Sequence, residues 1–145
     1  MPTSRIVLCA VYGAIAFIAL IATWSQNLAY FGGGVGDYLG AFAAFLTDTK
    51  VTPAARSITV DIGLFFLAAA IFMVIEARKH NIRFIWAYIA GGLLVAISVT
   101  FPLFLIAREL RLGAPDATHL RVLDIVPLAA FAALILGLTV WIDLM

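Results

Sequence analysis

Four long apolar segments alternate with short polar ones along the chain. The clearest runs from Ile58 to Ile75, is broken only by Asp61, and ends in the charged stretch 76–83. About 18 residues of α-helix measure roughly 27 Å, close to the hydrocarbon thickness of a bilayer. The pattern therefore predicts a membrane-spanning helix over about 58–77, with Ser57 as its N-cap.

The other apolar segments predict three further spans, at about 5–29, 82–107 and 124–145. The connection between the second and third spans is so short that they should be antiparallel neighbours. Pro102 lies inside the third span and should kink it, because it removes the hydrogen bond to the carbonyl of Ser98. Four antiparallel crossings would put both termini on one side of the membrane.

A shorter apolar segment, about 38–47, lies in the first loop. Gly32, Gly33, Gly34 and Gly36 end the first helix, and Asp37 can cap a new one. At about ten residues, or roughly 15 Å, this helix is too short to cross the bilayer, so we expect it at the interface. The glycines lack the lysine of a phosphate-binding loop and indicate a flexible break instead.

The composition of the chain is that of a membrane protein. It is 65% hydrophobic and 12% charged, whereas soluble domains average about 45–50% and about 25%. We therefore predict one membrane domain over residues 1–145, an all-α antiparallel bundle of four transmembrane helices with a short interfacial helix in the first loop. The formal charge of +1 indicates no nucleic-acid partner.

The predicted topology sorts the charged residues onto two sides. One side receives a polar rim: Arg56, Asp61, Arg108, Glu109 and Asp124. The other receives a basic turn: Glu76, Arg78, Lys79 and Arg83. Because this turn is the densest basic loop, it favours cytoplasmic N- and C-termini.

Asp61 carries the main hypothesis about a site. An unpaired carboxylate inside a span costs several kcal/mol, so it should be protonated or paired with Arg56 or Arg108. One interpretation is a structural lock between helices. The other is the mouth of an ion or substrate path, or a contact site for another subunit.

The sequence shows no metal or catalytic motif, since HExxH, CxxC and GxSxG are absent. His80 and His119 should lie on opposite sides and be solvated, so they cannot share a metal. We expect no cofactor, although a bound lipid is compatible with the chain. The expected partners are membrane lipids, other membrane subunits or further copies of the chain.

Three stretches carry a resemblance: RSITVD at 56–61, IEARKHNIRFIWAYI at 75–89 and SVTFPLFLIARE at 98–109. They resemble a family of small bacterial integral membrane proteins known only as domain of unknown function 2834, over roughly residues 50–112. The first helix and its exit, TWSQNLAYFGGG, depart from the expected pattern. The resemblance implies a four-helix architecture in the bacterial cytoplasmic membrane and supplies no activity. The corresponding residues are Asp61, Glu76, Arg78, Trp86, Pro102, Arg108 and Glu109.

These observations favour a non-enzymatic accessory or scaffold subunit of a larger membrane complex. Two alternatives stay open. One is a small oligomeric transporter or channel, with Asp61 and Arg108 at its mouth. The other is a membrane protein that handles a lipid or quinone.

Overall fold

The computed structural model describes residues 3–31, 37–112 and 122–143, and these ranges contain helices and no strand. The glycine-rich break and the connection that holds His119 and Arg121 lie outside the described residues. The helices are α1 Thr3–Asn27, α2 Tyr38–Asp48, α3 Pro53–Lys79, α4 Ile85–Gly91, α5 Ile97–Arg111 and α6 Val122–Asp143. A 3₁₀ turn, Leu28–Tyr30, follows α1, and a π-helical turn, Gly92–Ala96, joins α4 to α5.

Four described segments are long and apolar enough to cross a membrane: Thr3–Tyr30, Pro53–Lys79, Ile85–Arg111 and Leu123–Asp143. The all-α membrane class is therefore confirmed. The α2 helix begins as expected, because the Asp37 carboxylate accepts a hydrogen bond from the backbone N of Gly40 at 3.1 Å. The N-cap expected at Ser57 is wrong. The cap is Thr52, whose hydroxyl accepts from the backbone N of Ala55 at 3.0 Å, and Pro53 fills the first helical position.

The third apolar segment is not a single rod, because α5 folds back along α4. Ala96 has an extended backbone, with φ −179° and ψ 143°, between helical neighbours. The rings of Tyr88 and Phe104 lie 5.9 Å apart, whereas 16 residues of straight helix would separate them by about 24 Å. The sequence predicted a kink at Pro102. The chain reverses six residues earlier, at Ala96, and Pro102 lies inside α5.

Two features stabilise this helical hairpin. Gly92 permits close approach, because a Cβ there would lie 2.8 Å from Phe66 Cζ and 3.0 Å from Thr100 Oγ1. At the reversal, the carbonyls of Leu94 and Val95 accept hydrogen bonds from the Tyr38 hydroxyl and the Trp24 indole. Helix ends leave carbonyls without intrahelical partners, and lipid offers them none. Trp24 of α1 and Tyr38 of α2 therefore supply hydrogen-bond donors for the carbonyls at the hairpin tip.

The hairpin changes the topology of the chain. It begins and ends at the end of the bundle that holds Arg5, Glu76, Arg108 and Glu109, which we call the Arg5 end. Its tip lies at the opposite end, which holds Trp24, Tyr38 and Val95 and which we call the Trp24 end. At that end the Gln26 amide lies 3.5 Å from Asp143 Oδ1. Helix α6 thus finishes opposite the start of α1, and the expectation that both termini share a side is wrong because the third segment returns to the end it left.

The core lies between α3 and the hairpin. It consists of Met73, Ala77, Ile82, Ile85, Ile97 and Phe104, of which Met73 and Phe104 are fully enclosed. Helix α1 packs along α5 on the other side of the hairpin. Helix α6 differs from these elements, since none of its described side chains is buried.

Candidate functional site

A network of ion pairs joins three helices at the Arg5 end. Arg108 of α5 donates from Nε to the Glu76 carboxylate of α3, and its Nη1 lies 3.3 Å from Glu109 Oε1. Arg5 of α1 approaches from the other side, with Nε 3.6 Å from Glu109 Oε2. The two arginines and two glutamates balance in formal charge and tie α1 and α3 to the returning arm of the hairpin.

The network is enclosed by protein. The side chains of Arg5 and Glu109 are 6% and 3% exposed. Within the described part, Arg5 Nε, Arg5 Nη2 and Glu109 Oε2 are buried without a hydrogen-bond partner. Because buried charges are costly unless they are paired, removing one member would leave its partner uncompensated. The arrangement fits a structural lock better than a solvent-filled path.

His80 is a member of this region that sequence reasoning missed. It follows Glu76 by one helical turn, and its Nε2 lies 3.4 Å from Glu76 Oε2. The expected solvated loop histidine is therefore wrong, since the His80 side chain is mostly buried. The signal was the spacing of four residues at a helix end, which puts both side chains on one face.

The predicted polar rim is divided between the two ends. Arg108 and Glu109 belong to the Arg5 end, whereas Asp61 precedes Glu76 by 15 residues of α3, or about 22 Å. Arg108 therefore cannot be the partner of Asp61, and the two cannot line one mouth. Arg56 contacts the backbone oxygen of Lys50 at 3.3 Å.

The remaining predicted site residues are exposed. Asp61 and Asp124 form no ion pair with any described residue. The same holds in the basic turn for Arg78, Lys79 and Arg83, while Glu76 alone turns inward. No group of three or more His, Cys, Asp or Glu among the described residues could hold a metal ion.

A cavity of about 600 Å³ occupies the Trp24 end. It lies between the last turns of α1, the interfacial helix α2, the first half of α3 and the hairpin tip. Aromatic rings form much of its wall, with Trp24 stacked 5.9 Å from Phe31 and Phe31 5.5 Å from Tyr38. The cavity exists because the hairpin turns back at Ala96, so that α2 and α1 close a space above its tip.

Few polar atoms face this cavity. Trp24 and Tyr38 are engaged with the hairpin carbonyls, and the Tyr30 hydroxyl lies 2.8 Å from Asp48 Oδ2. The side chains of Asn27 and Ser98 also line it and form no hydrogen bond with a described residue. No charged residue occurs among the described residues of the wall. Chemically, the cavity can hold an apolar body and hydrogen-bond a neutral polar group.

Together these features define a multi-pass α-helical membrane protein with a charged, closed end and an apolar, hollow end. The chain matches the family described as "Protein of unknown function DUF2834" over residues 11–110, more than half of its length, and so it belongs to that family. The match confirms the resemblance and extends it into the first helix, whose exit was expected to depart from the pattern. Comparisons with curated proteins and with solved structures found no match.

Proposed function

We propose that this protein is a non-enzymatic membrane protein that binds a lipid-soluble molecule in the cavity at the Trp24 end. The observation that carries the proposal is the cavity of about 600 Å³ with an almost wholly apolar wall. Sites for small molecules and cofactors typically enclose about 300–1,000 Å³ and combine apolar walls with a few polar groups. Asn27 and Ser98 supply such groups.

The wall chemistry supports one class of ligand. A charged headgroup would lose water without gaining a counter-ion, because the described lining carries no charge. A neutral head that accepts or donates one or two hydrogen bonds suits the Asn27 amide and the Ser98 hydroxyl. An isoprenoid quinone or a long-chain alcohol has this combination of an apolar body and a neutral polar head.

One substitution can add bulk to the cavity wall. Gly63 lines the cavity and a Cβ built there meets nothing within 4 Å, so Gly63→Phe adds a ring at this wall. The matched control is Gly137→Phe on α6, where a Cβ also meets nothing within 4 Å. Binding is followed by the quenching of Trp24 fluorescence by a short-chain benzoquinone, in a Trp86→Phe/Trp141→Phe background. We expect the quenching constant to fall at least tenfold with Gly63→Phe and to stay unchanged with Gly137→Phe. Equal quenching in both variants would contradict the proposal.

Asp61 favours a second function, that of an accessory subunit. It lies about five residues, or roughly 7.5 Å, beyond Arg56 along α3, is exposed, and has no ion-pair partner among the described residues. A carboxylate within a span is stabilised by a cation, and a neighbouring membrane subunit could supply it. We expect mild-detergent purification to recover a stoichiometric partner that Asp61→Asn loses and Asp124→Asn keeps. Recovery of the same complex from both variants would argue against this role.

We also propose that the protein lies in the bacterial cytoplasmic membrane with its Arg5 end in the cytoplasm. Eight of the nine Lys and Arg residues are described. Two of these, Lys50 and Arg56, flank α2 and α3 toward the Trp24 end, and the other six belong to the Arg5 end. Cytoplasmic segments carry an excess of such residues. In this orientation the start of α1 faces the cytoplasm and the end of α6 does not, whereas the sequence predicted that both would.

Labelling of single cysteines tests the orientation in a Cys9→Ser background. We expect a membrane-impermeant maleimide to label Lys50→Cys in intact cells and Lys79→Cys only after permeabilisation. The reverse pattern would place the Arg5 end outside the cytoplasm.

A further inference from the structure

The Arg5 end holds cations that the buried network does not neutralise. Glu76 and Glu109 are engaged with Arg108 and Arg5 inside the bundle. Asp124, in the first turn of α6, forms no ion pair with a described residue. The cations at this end that form no ion pair with a described residue are all exposed: Arg78, Lys79, Arg83 and Arg111. Three of the four lie within six residues, on both sides of the turn between α3 and α4.

The same turn presents aromatic side chains outward. Phe84 is 80% exposed and Trp86 is 64% exposed. Phe84 also has a left-handed backbone, with φ 60°, which is unusual for a bulky residue. Aromatic residues beside Lys and Arg are typical of the headgroup zone of a bilayer. The turn therefore carries aromatic side chains suited to the headgroup zone next to three closely spaced positive charges.

We propose that Arg78, Lys79 and Arg83, flanked by Phe84 and Trp86, form a binding surface for the phosphate of an anionic phospholipid. Arginine and lysine make short, charge-assisted hydrogen bonds to phosphate oxygens. Basic residues next to a membrane helix bind anionic headgroups in this way. The exposed rings hold the turn at the depth of those phosphates. This surface is separate from the cavity and does not depend on it.

The chain offers a control of equal charge for the test. Arg78→Gln/Lys79→Gln and Arg56→Gln/Lys50→Gln each remove one arginine and one lysine, from opposite ends of the bundle. Each purified protein is heated in dodecyl maltoside with added phosphatidylglycerol or phosphatidylcholine, and the Tm is followed by tryptophan fluorescence. We expect phosphatidylglycerol to raise the Tm of the wild type and of the Arg56/Lys50 variant more than phosphatidylcholine does. At least half of that difference should disappear in the Arg78/Lys79 variant.

Three results would overturn the proposal. The first is an equal loss in the two variants, because the response would then follow total charge and not this turn. The second is no preference for phosphatidylglycerol in the wild type. The third is an equal rise in Tm with inorganic phosphate alone, because the surface would then bind a free anion without requiring a lipid.

Discussion

The Arg5 end and the Trp24 end of this bundle use polar side chains in opposite ways. At the Arg5 end, two arginines and two glutamates are mostly buried and are paired with one another across three helices. At the Trp24 end, Trp24 and Tyr38 bind the backbone of the hairpin tip and leave an apolar cavity beside it. Paired charges thus join the helices at one end of the bundle, whereas hydrogen bonds to the backbone at the other end leave room for an apolar cavity.

The largest expected effect comes from breaking the enclosed pair. Glu109→Gln would leave the Arg5 guanidinium, which is 6% exposed, without a counter-ion. We expect the free energy of unfolding to fall by about 3–5 kcal/mol, measured by denaturation in mixed detergent micelles. Arg5→Leu/Glu109→Leu should recover most of this loss, and Asp124→Asn should change little. If Glu109→Gln lowers the free energy of unfolding no more than Asp124→Asn does, the network is not a structural lock.

A smaller loss is expected at the more exposed arm of the network. Arg108→Ala removes both the bond to Glu76 and the contact with Glu109. Because hydrogen bonds to charged groups contribute about 1.5–3 kcal/mol each and Arg108 is partly exposed, we expect about 2–3 kcal/mol in the same assay. Arg111→Ala, three residues later and exposed, is the control. Equal effects of the two variants would contradict the assigned pairing.

The hairpin itself is tested by adding one methyl group. Gly92→Ala would place a Cβ 2.8 Å from Phe66 Cζ and 3.0 Å from Thr100 Oγ1. Overpacking of this kind costs about 1–3 kcal/mol, so the Tm in detergent should fall. Gly137→Ala meets nothing within 4 Å and should stabilise α6 by up to about 1 kcal/mol. A straight third helix would predict similar behaviour for both glycines.

The smallest effect is expected at the hairpin tip. Trp24→Phe keeps an aromatic ring beside Phe31 but removes the indole N–H that donates to the Val95 carbonyl at 3.3 Å. We expect a loss of about 1 kcal/mol, together with faster amide hydrogen exchange near the tip. Trp141→Phe, on exposed α6, should change neither measurement. Unchanged exchange in Trp24→Phe would mean that this bond does not hold the tip.

Sequence reasoning found the elements of this fold because their signals are local. Hydropathy located the four apolar segments, and Asp37 marked the start of α2. It missed the reversal at Ala96, because hydropathy reports the length of an apolar segment and not the direction of its two halves. Gly91 and Gly92 lie inside this segment. Paired glycines inside an apolar segment also indicate a discontinuous helix.

The error in the third segment then spread to the candidate site. Once that segment was taken as a full crossing, Arg108 and Glu109 were assigned to the side of Asp61. Glu76 was then assigned to the other side, away from Arg108. The cavity could not be predicted at all, since its wall comes from α1, α2, α3 and the hairpin tip, far apart in sequence. The polar rim had grouped Arg108 with Glu109, and the resemblance added Glu76; these three residues do meet.

The reversal at Ala96 also leaves three described helices, α1, α3 and α6, that are each long enough to cross a membrane in one direction. If two copies were fused head to tail, the second copy would enter the membrane upside down relative to the first. Pairs of inverted repeats of this kind are the framework from which many secondary transporters are built. A duplicated chain of this architecture would therefore carry one hollow end facing each compartment.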